Sequence, residues 1–224
     1  MGGEGNIMST DTPEFWNDMW AGMEDCCSGS GSDLVSADLI EHLPPGRALD
    51  IGCGTGVNAV WLAKRRWQVT EVDYSKVAFE KGKSLAVRRK VDVEFVLATA
   101  SEYEPQGQYD LITSFYIQMF PRQQANMLAS MSKALASGRT LLFVSHAKSG
   151  PIACWSEEDL SSLTTPEEIV AELPELQIEQ AFVLDDDATS GHVSPMNQDG
   201  AVKSSHEAQY SPSSRITIVK AIRP

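Results

Sequence analysis

"LDIGCGTG", residues 49–56, sets three glycines at alternate positions directly behind a short apolar run. Glycine at such a place lets the backbone turn sharply or approach a ligand closely. A strand before and a helix after are the context that gives a glycine motif its meaning. A triphosphate-binding loop needs Lys followed by Ser or Thr after its last glycine, whereas Gly56 is followed by Val57 and Asn58. A dinucleotide loop needs a third glycine three positions after its second, where Val57 stands. What remains is GxGxG, Gly52, Gly54 and Gly56, with an acid, Asp50, two residues before it.

Outward from this loop, strands and helices alternate. "ALDIG" reads as a buried strand, residues 57–66 as a helix, and "QVTEVD" as a second strand. Ser75 caps a helix running towards Lys90. "VEFVLA" and "DLITSF" are the third and fourth strands; a helix follows over 121–136, starting at Pro121, and "TLLFVSH" is the fifth strand. This repetition predicts a parallel sheet covered on both faces. In "TTPEEIVAEL", Thr165 is an N-cap, Pro166 takes the first helical position and Glu168 completes a capping box. "LQIEQAFVL" and "SRITIVKAI" are two late strands joined by a long polar loop, 185–213. Ahead of the core, a tail of residues 1–10 leads to two amphipathic helices. The first, capped by Asp11 or Thr12, carries Trp16 and Trp20 on one face; the second spans "LVSADLIEHL" and stops at Pro44 and Pro45.

A chain of 224 residues can bury one substantial core, and 42% hydrophobic with 22% charged residues is ordinary for a folded protein. The reading is one domain: a helical lid over 11–45, a core over 46–147 and a C-terminal part over 148–224. A net charge of −13 argues against a nucleic-acid partner. The basic trios Lys64, Arg65, Arg66 and Arg88, Arg89, Lys90 fall at expected helix ends, where cations offset the helix dipole. Cys26, Cys27, Cys53 and Cys154 form no CxxC pair, so neither a metal site nor a disulfide framework is expected. No apolar run near 18 residues and no signal-peptide pattern is present. The expectation is a cytoplasmic protein without a membrane partner, either a monomer or a homodimer.

Asp73 ends the second strand, where an acid can accept hydrogen bonds from both ribose hydroxyls, or simply cap the turn into the next helix. "ALDIGCGTG", "VTEVDYS", "YDLITSF" and "LASGRTLLFVSH" together resemble, in order and spacing, the successive motifs of the class I S-adenosylmethionine-dependent methyltransferases, over residues 46–147. "EFWNDMW" and "LTTPEEIVAEL" further resemble the subgroup related to thiopurine S-methyltransferases and tellurite-resistance methyltransferases.

The resemblance implies a Rossmann-like, doubly wound α/β fold. Its seven-stranded sheet is mostly parallel and ends in an antiparallel hairpin, matching five alternating units and two late strands. It implies S-adenosyl-L-methionine as cofactor and S-adenosyl-L-homocysteine as product. Carried over by position, Gly52, Gly54 and Gly56 form the cofactor loop and Asp50 reaches the methionine amino group. Asp73, with Tyr74 beside it, holds the ribose, and Thr99 and Ala100 take the adenine edge. Ser114 and Phe115 offer backbone carbonyls to the ammonium. The chain departs from the pattern at Thr99, where many relatives carry an aspartate, and at Arg139, where a second glycine is common before the fifth strand.

Methyl transfer from a sulfonium is an in-line displacement, favoured by alignment and by exclusion of water. A base is needed only for an acceptor that keeps its proton. Among Tyr116, Gln118 and His146, each just past a strand end, His146 is the best available base, its other reading being a histidine that caps the strand end with a satisfied hydrogen bond. Tyr116 is the second catalytic candidate. His192 and His206 fall in the polar loop, and no metal is implied. Trp16 and Trp20 can close over the cofactor, an aromatic face suiting a sulfonium cation, or simply pack on the core. The expected acceptor is a small molecule, a thiol or a selenium or tellurium species, with O- or N-methylation as the alternative. A nicotinamide-dependent oxidoreductase and a non-catalytic module keeping the cofactor fold are the readings from other classes.

Overall fold

The computed structural model describes residues 12–23, 34–148, 160, 162–186 and 214–224. Among them, seven strands form one sheet: β1 (Arg47–Ile51), β2 (Gln68–Asp73), β3 (Val93–Leu97), β4 (Tyr109–Phe115), β5 (Leu135–His146), β6 (Gln177–Asp186) and β7 (Ser214–Ile222). Their order is β3-β2-β1-β4-β5-β7-β6. Neighbours from β3 through β5 pair in parallel, while β7 runs antiparallel to both β5 and β6. The chain winds outward from β1 to β3, then returns to place β4 on the other side of β1. That reversal opens a crevice at the carboxyl ends of β1 and β4, where sheets of this kind bind ligands.

The helices set out among the described residues are α1 (Pro13–Gly22), α2 (Leu34–Ile40), α3 (Val57–Lys64), α4 (Lys76–Arg89), α5 (Pro121–Ala134) and α6 (Pro166–Ala171). Side-chain caps explain where several begin. Thr12 Oγ1 accepts from the Phe15 N–H, and Ser75 Oγ from the Ala78 N–H. Thr165 and Glu168 form the reciprocal box expected of them. The basic trios end helices as anticipated. Lys64 lies in the last turn of α3, Arg88 and Arg89 in that of α4, and Arg66 and Lys90 take left-handed backbone at φ 71° and 55° to break the run.

Several boundaries differ from the sequence reading. β5 starts at Leu135, straight out of α5, because a register irregularity between Tyr109 and Leu111 admits an extra turn carried by Gly138 at φ 71°. Arg139 beside it is used, its Nε lying 2.9 Å from Asp110 Oδ1. β6 runs on through Asp185 and Asp186, expected to open the polar loop, because they pair with Arg215 and Ser214 of β7. α2 ends at Ile40, three residues short, with a turn before the prolines. Residues 1–10, Cys26, Cys27, Cys154, His192 and His206 lie outside the described residues.

Strand alternation divides the core in two. Leu49, Ile51, Ile112, Leu141 and Phe143 face one side, with Met127, Leu128 and Met131 of α5. Ala48, Leu111, Leu142 and Val144 face the other, with Ala59, Trp61 and Leu62 of α3 and Ile40 of α2. Each fully buried aliphatic side chain contributes about 1.5–3 kcal/mol, so both layers hold the sheet rigid beneath the crevice. Among the described residues, no helix is long and apolar enough to cross a membrane.

Candidate active site at the strand carboxyl ends

Asp50 and Gly52 (β1), Asp73 and Tyr74 (β2), Thr99 and Ala100 (β3), Ser114, Phe115 and Tyr116 (β4) and His146 (β5) all sit at or just past the carboxyl ends of successive parallel strands. One topological fact therefore gathers residues spread over nearly a hundred positions.

The glycine loop connects β1 to α3. Gly52, Gly54 and Gly56 have φ of 71°, 57° and 72°, a left-handed conformation every second residue that side chains resist. Neighbours also crowd them. A Cβ on Gly52 would stand 2.6 Å from Ile117 Cδ1, and one on Gly54 would stand 2.8 Å from Trp20 Cζ2. Trp20 of α1 thus lies directly on the loop, with Trp16 beside it at 6.3 Å between ring centroids. Both tryptophans expected near the cofactor come to this end of the sheet, and Ile117, missed from sequence, joins them.

Below the loop runs a row of polar side chains in a sheet interior. Register places Asp50 between Glu71 of β2 and Thr113 of β4, all on one face. Thr113 Oγ1 donates to Asp50 Oδ1 at 2.7 Å, while Asp50 Oδ2, also buried, has no hydrogen-bond partner among the described residues. Burial pushes the Asp50 carboxyl up to about 7; the Thr113 bond opposes the rise and the Asp73 charge adds to it. Glu71 is 1% exposed, and neither of its oxygens has a partner of ordinary geometry among the described residues. Its carboxyl lies well above the usual range, first through burial and then through Asp50 and Asp73, although the Cys53 thiol beside it works the other way. The thiol is raised in turn by burial and by the same acids. Sequence reasoning passed over Glu71. The available signal was a charged residue inside the otherwise buried stretch "QVTEVD".

Asp73 does two local jobs already. Oδ2 accepts from the Gly54 N–H and Oδ1 from the Ser75 N–H, each at 2.8 Å. It therefore ties the glycine loop to the start of α4. Burial raises its carboxyl to about 6, against the lowering effect of these backbone donors. At β3, the Thr99 carbonyl accepts from the Glu102 and Tyr103 N–H groups and shapes the turn beside Ala100. Ser114 is fully buried between Ile51 and Phe143, its hydroxyl without a partner among the described residues. Phe115 packs in the core face shared with α2 and α3.

Tyr116 has φ 55°, a costly conformation for an aromatic residue and one concentrated at functional sites. Its N–H is held by the Val144 carbonyl, and its ring meets His146 at 5.1 Å between centroids. The two catalytic candidates are thus neighbours, and His146 is 7% exposed. Gln118 lies past them, in the segment leading to α5.

A family model described as a methyltransferase domain matches residues 48–138. The "Probable thiol methyltransferase 2" of Arabidopsis thaliana is 30% identical over 154 residues, covering 64% of this chain and 68% of that protein. A "Ubiquinone biosynthesis O-methyltransferase" of Burkholderia thailandensis is 30% identical over 108 residues, covering 47% of each. Several other curated relatives are matched over less than half of their own length. Among solved structures, TehB from Haemophilus influenzae superimposes with a TM-score of 0.64 at 15% identity, covering 85% of this chain and 60% of that one, a likeness of fold.

Proposed function

The chain belongs to the class I S-adenosylmethionine-dependent methyltransferases, and on that premise we propose that it methylates a small molecule, with a thiol or an ionised selenium or tellurium species as the first acceptor class. The observation that carries this reading is the convergence of Asp50, the glycine loop and Asp73 on the crevice between β1 and β4. The residues fit the cofactor. Asp50 Oδ2 is a buried acceptor without a partner among the described residues, suited to an ammonium. The glycines put no side chain on the loop, and the first turn of α3, which has no side-chain cap, favours a carboxylate.

Asp73 and Tyr74 would hold the ribose, the Ala100 backbone and Thr99 the adenine edge, and the Ser114 and Phe115 carbonyls the ammonium. Trp16 and Trp20 would cover the site and exclude water. When bound, the cofactor supplies an electrophilic methyl group on a sulfonium. A thiol, with a pKa of about 8.5, ionises readily enough to need little help in attacking it. His146, set against Tyr116, is the group placed to accept a proton from an acceptor that retains one. The similarity to the Arabidopsis thiol methyltransferase supports sulfur; that to the ubiquinone-biosynthesis O-methyltransferases supports oxygen as second reading.

A screen with isotope-labelled S-adenosylmethionine over thiols, hydrogen selenide, methanetellurol, phenols and amines tests the proposal. Turnover with the soft nucleophiles is expected, and turnover confined to phenols or amines overturns the first acceptor class. His146→Ala should slow a protonated acceptor below its pKa while leaving a pre-ionised one nearly unaffected. A rate unchanged across pH for both dismisses His146 as a base.

A further inference from the structure

Helices α1 and α4 cap each other. Asn17 of α1 places Oδ1 where the Val77 N–H, an unsatisfied donor in the first turn of α4, reaches it at 3.1 Å; the hydroxyl of the cap residue Ser75 donates to the same oxygen at 2.9 Å. In return, Lys81 of α4 sends its ammonium to the Trp20 and Met23 carbonyls at the end of α1, both at 2.5 Å. α1 has no basic residue in its own last turn, so Lys81 supplies the cation that its dipole lacks. At ten residues, α1 is shorter than the roughly 12–15 at which an isolated helix begins to hold in water. Its order therefore depends on this docking.

The contacts close into a ring. Asn17 holds Ser75; the Ser75 N–H donates to Asp73; Asp73 accepts from the Gly54 N–H; and Gly54 carries the ring of Trp20, which is α1 again. We infer that Asn17 and Lys81 are positioning residues for the cofactor: they hold α1 on the glycine loop, so that docking of this helix and assembly of the Asp73 site are one event. The inference rests on the methyltransferase reading for the identity of the ligand. Neither residue belongs to the glycine loop or the strand ends, and each acts through the backbone or a neighbour.

The test uses the full chain, with S-adenosylhomocysteine binding read by calorimetry and amide exchange of residues 13–23 read by mass spectrometry, with and without that ligand. Lys81→Met and Asn17→Ala should each speed exchange in α1 and raise Kd about tenfold (about 1.4 kcal/mol). Lys81→Arg, which keeps the charge and donors, should restore most of both. Should Lys81→Met fail to fold, Asn17→Ala at the opposite end of the latch carries the same two readouts. Unchanged Kd in a folded variant, or weakened binding with α1 exchange unaltered, overturns the inference. A wild-type chain that does not bind S-adenosylhomocysteine overturns the methyltransferase reading instead, while the ligand-free exchange rates still decide whether the two helices hold each other.

Discussion

Replacing Asp50 by Asn should make the ligand-free protein more stable at neutral pH and its cofactor binding weaker. The folded protein holds this carboxyl at about 7 against an ordinary 3.8. A carboxyl raised by folding binds its proton more tightly in the native than in the unfolded chain. Its stabilising contribution is complete below the ordinary value and is lost as pH rises to about 7. At about 1.36 kcal/mol per unit, the ionised group costs roughly 4 kcal/mol at pH 8. Asn removes that titration and keeps an oxygen for the Thr113 hydroxyl, but buries an amide whose pairing costs about 1–3 kcal/mol. The expected net gain is roughly 1–3 kcal/mol, or about 3–10 °C in Tm for a chain of this size, shrinking towards pH 4. Binding moves the other way. Losing a charged acceptor for an ammonium, worth about 1.5–3 kcal/mol, raises the Kd of S-adenosylhomocysteine some ten- to a hundredfold. In the wild type, Kd should climb about tenfold per unit as pH falls below 7, because the protonated acid no longer attracts the ammonium. The variant should lose that limb and retain only a break near 6 from Asp73. Thermal melts from pH 4 to 8 and calorimetry over pH 5.5 to 8 check both halves. A variant less stable than wild type at pH 8, or one whose affinity keeps its dependence between pH 6 and 7, would refute the reasoning.

Two further outcomes test the polar row beneath the loop. Glu71→Gln should raise Tm by an amount that grows with pH, since burial lifts the Glu71 carboxyl well above its ordinary range; a melt difference that is flat from pH 5 to 8 counts against it. Gly56→Ala would put a Cβ 2.3 Å from Glu71 Oε2 on backbone at φ 72°. Left-handed strain of about 1–2 kcal/mol adds to the clash. Denaturant unfolding should show Glu71→Ala in the same chain recovering the clash and leaving the strain, and a double variant no better than Gly56→Ala alone would argue that Glu71 does not press on the loop.

Much of the fold is legible because its signals are local. Alternating apolar runs, Ser75 and Thr165 at helix starts, and Pro121 and Pro166 at first helical positions act within a few residues of themselves. The glycine loop and Asp73 are legible for the same reason: a left-handed backbone and a strand-end acid declare themselves by spacing. The resemblance they carry to a methyltransferase family extended that reading to a seven-stranded, mostly parallel sheet with an antiparallel end. Boundaries failed where a long-range partner decided them. β5 extends back to Leu135 because Tyr109 pairs with it, and β6 extends to Asp186 because Ser214 does.

What the sequence by itself determined is the succession of elements, the loop that excludes a triphosphate lysine, and the acids that end β1 and β2. Only the tertiary structure decided what those acids are. Strand register sets Glu71, Asp50 and Thr113 side by side in a buried row, and exclusion of water there lifts the Asp50 carboxyl to about 7 and the Glu71 carboxyl well above its ordinary range. Docking of α1 on α4 likewise turns an asparagine and a lysine, 64 positions apart and unremarked in the sequence, into the two ends of a latch over Gly54. Both effects depend on which surfaces meet in space, and residue spacing along one chain carries no record of that.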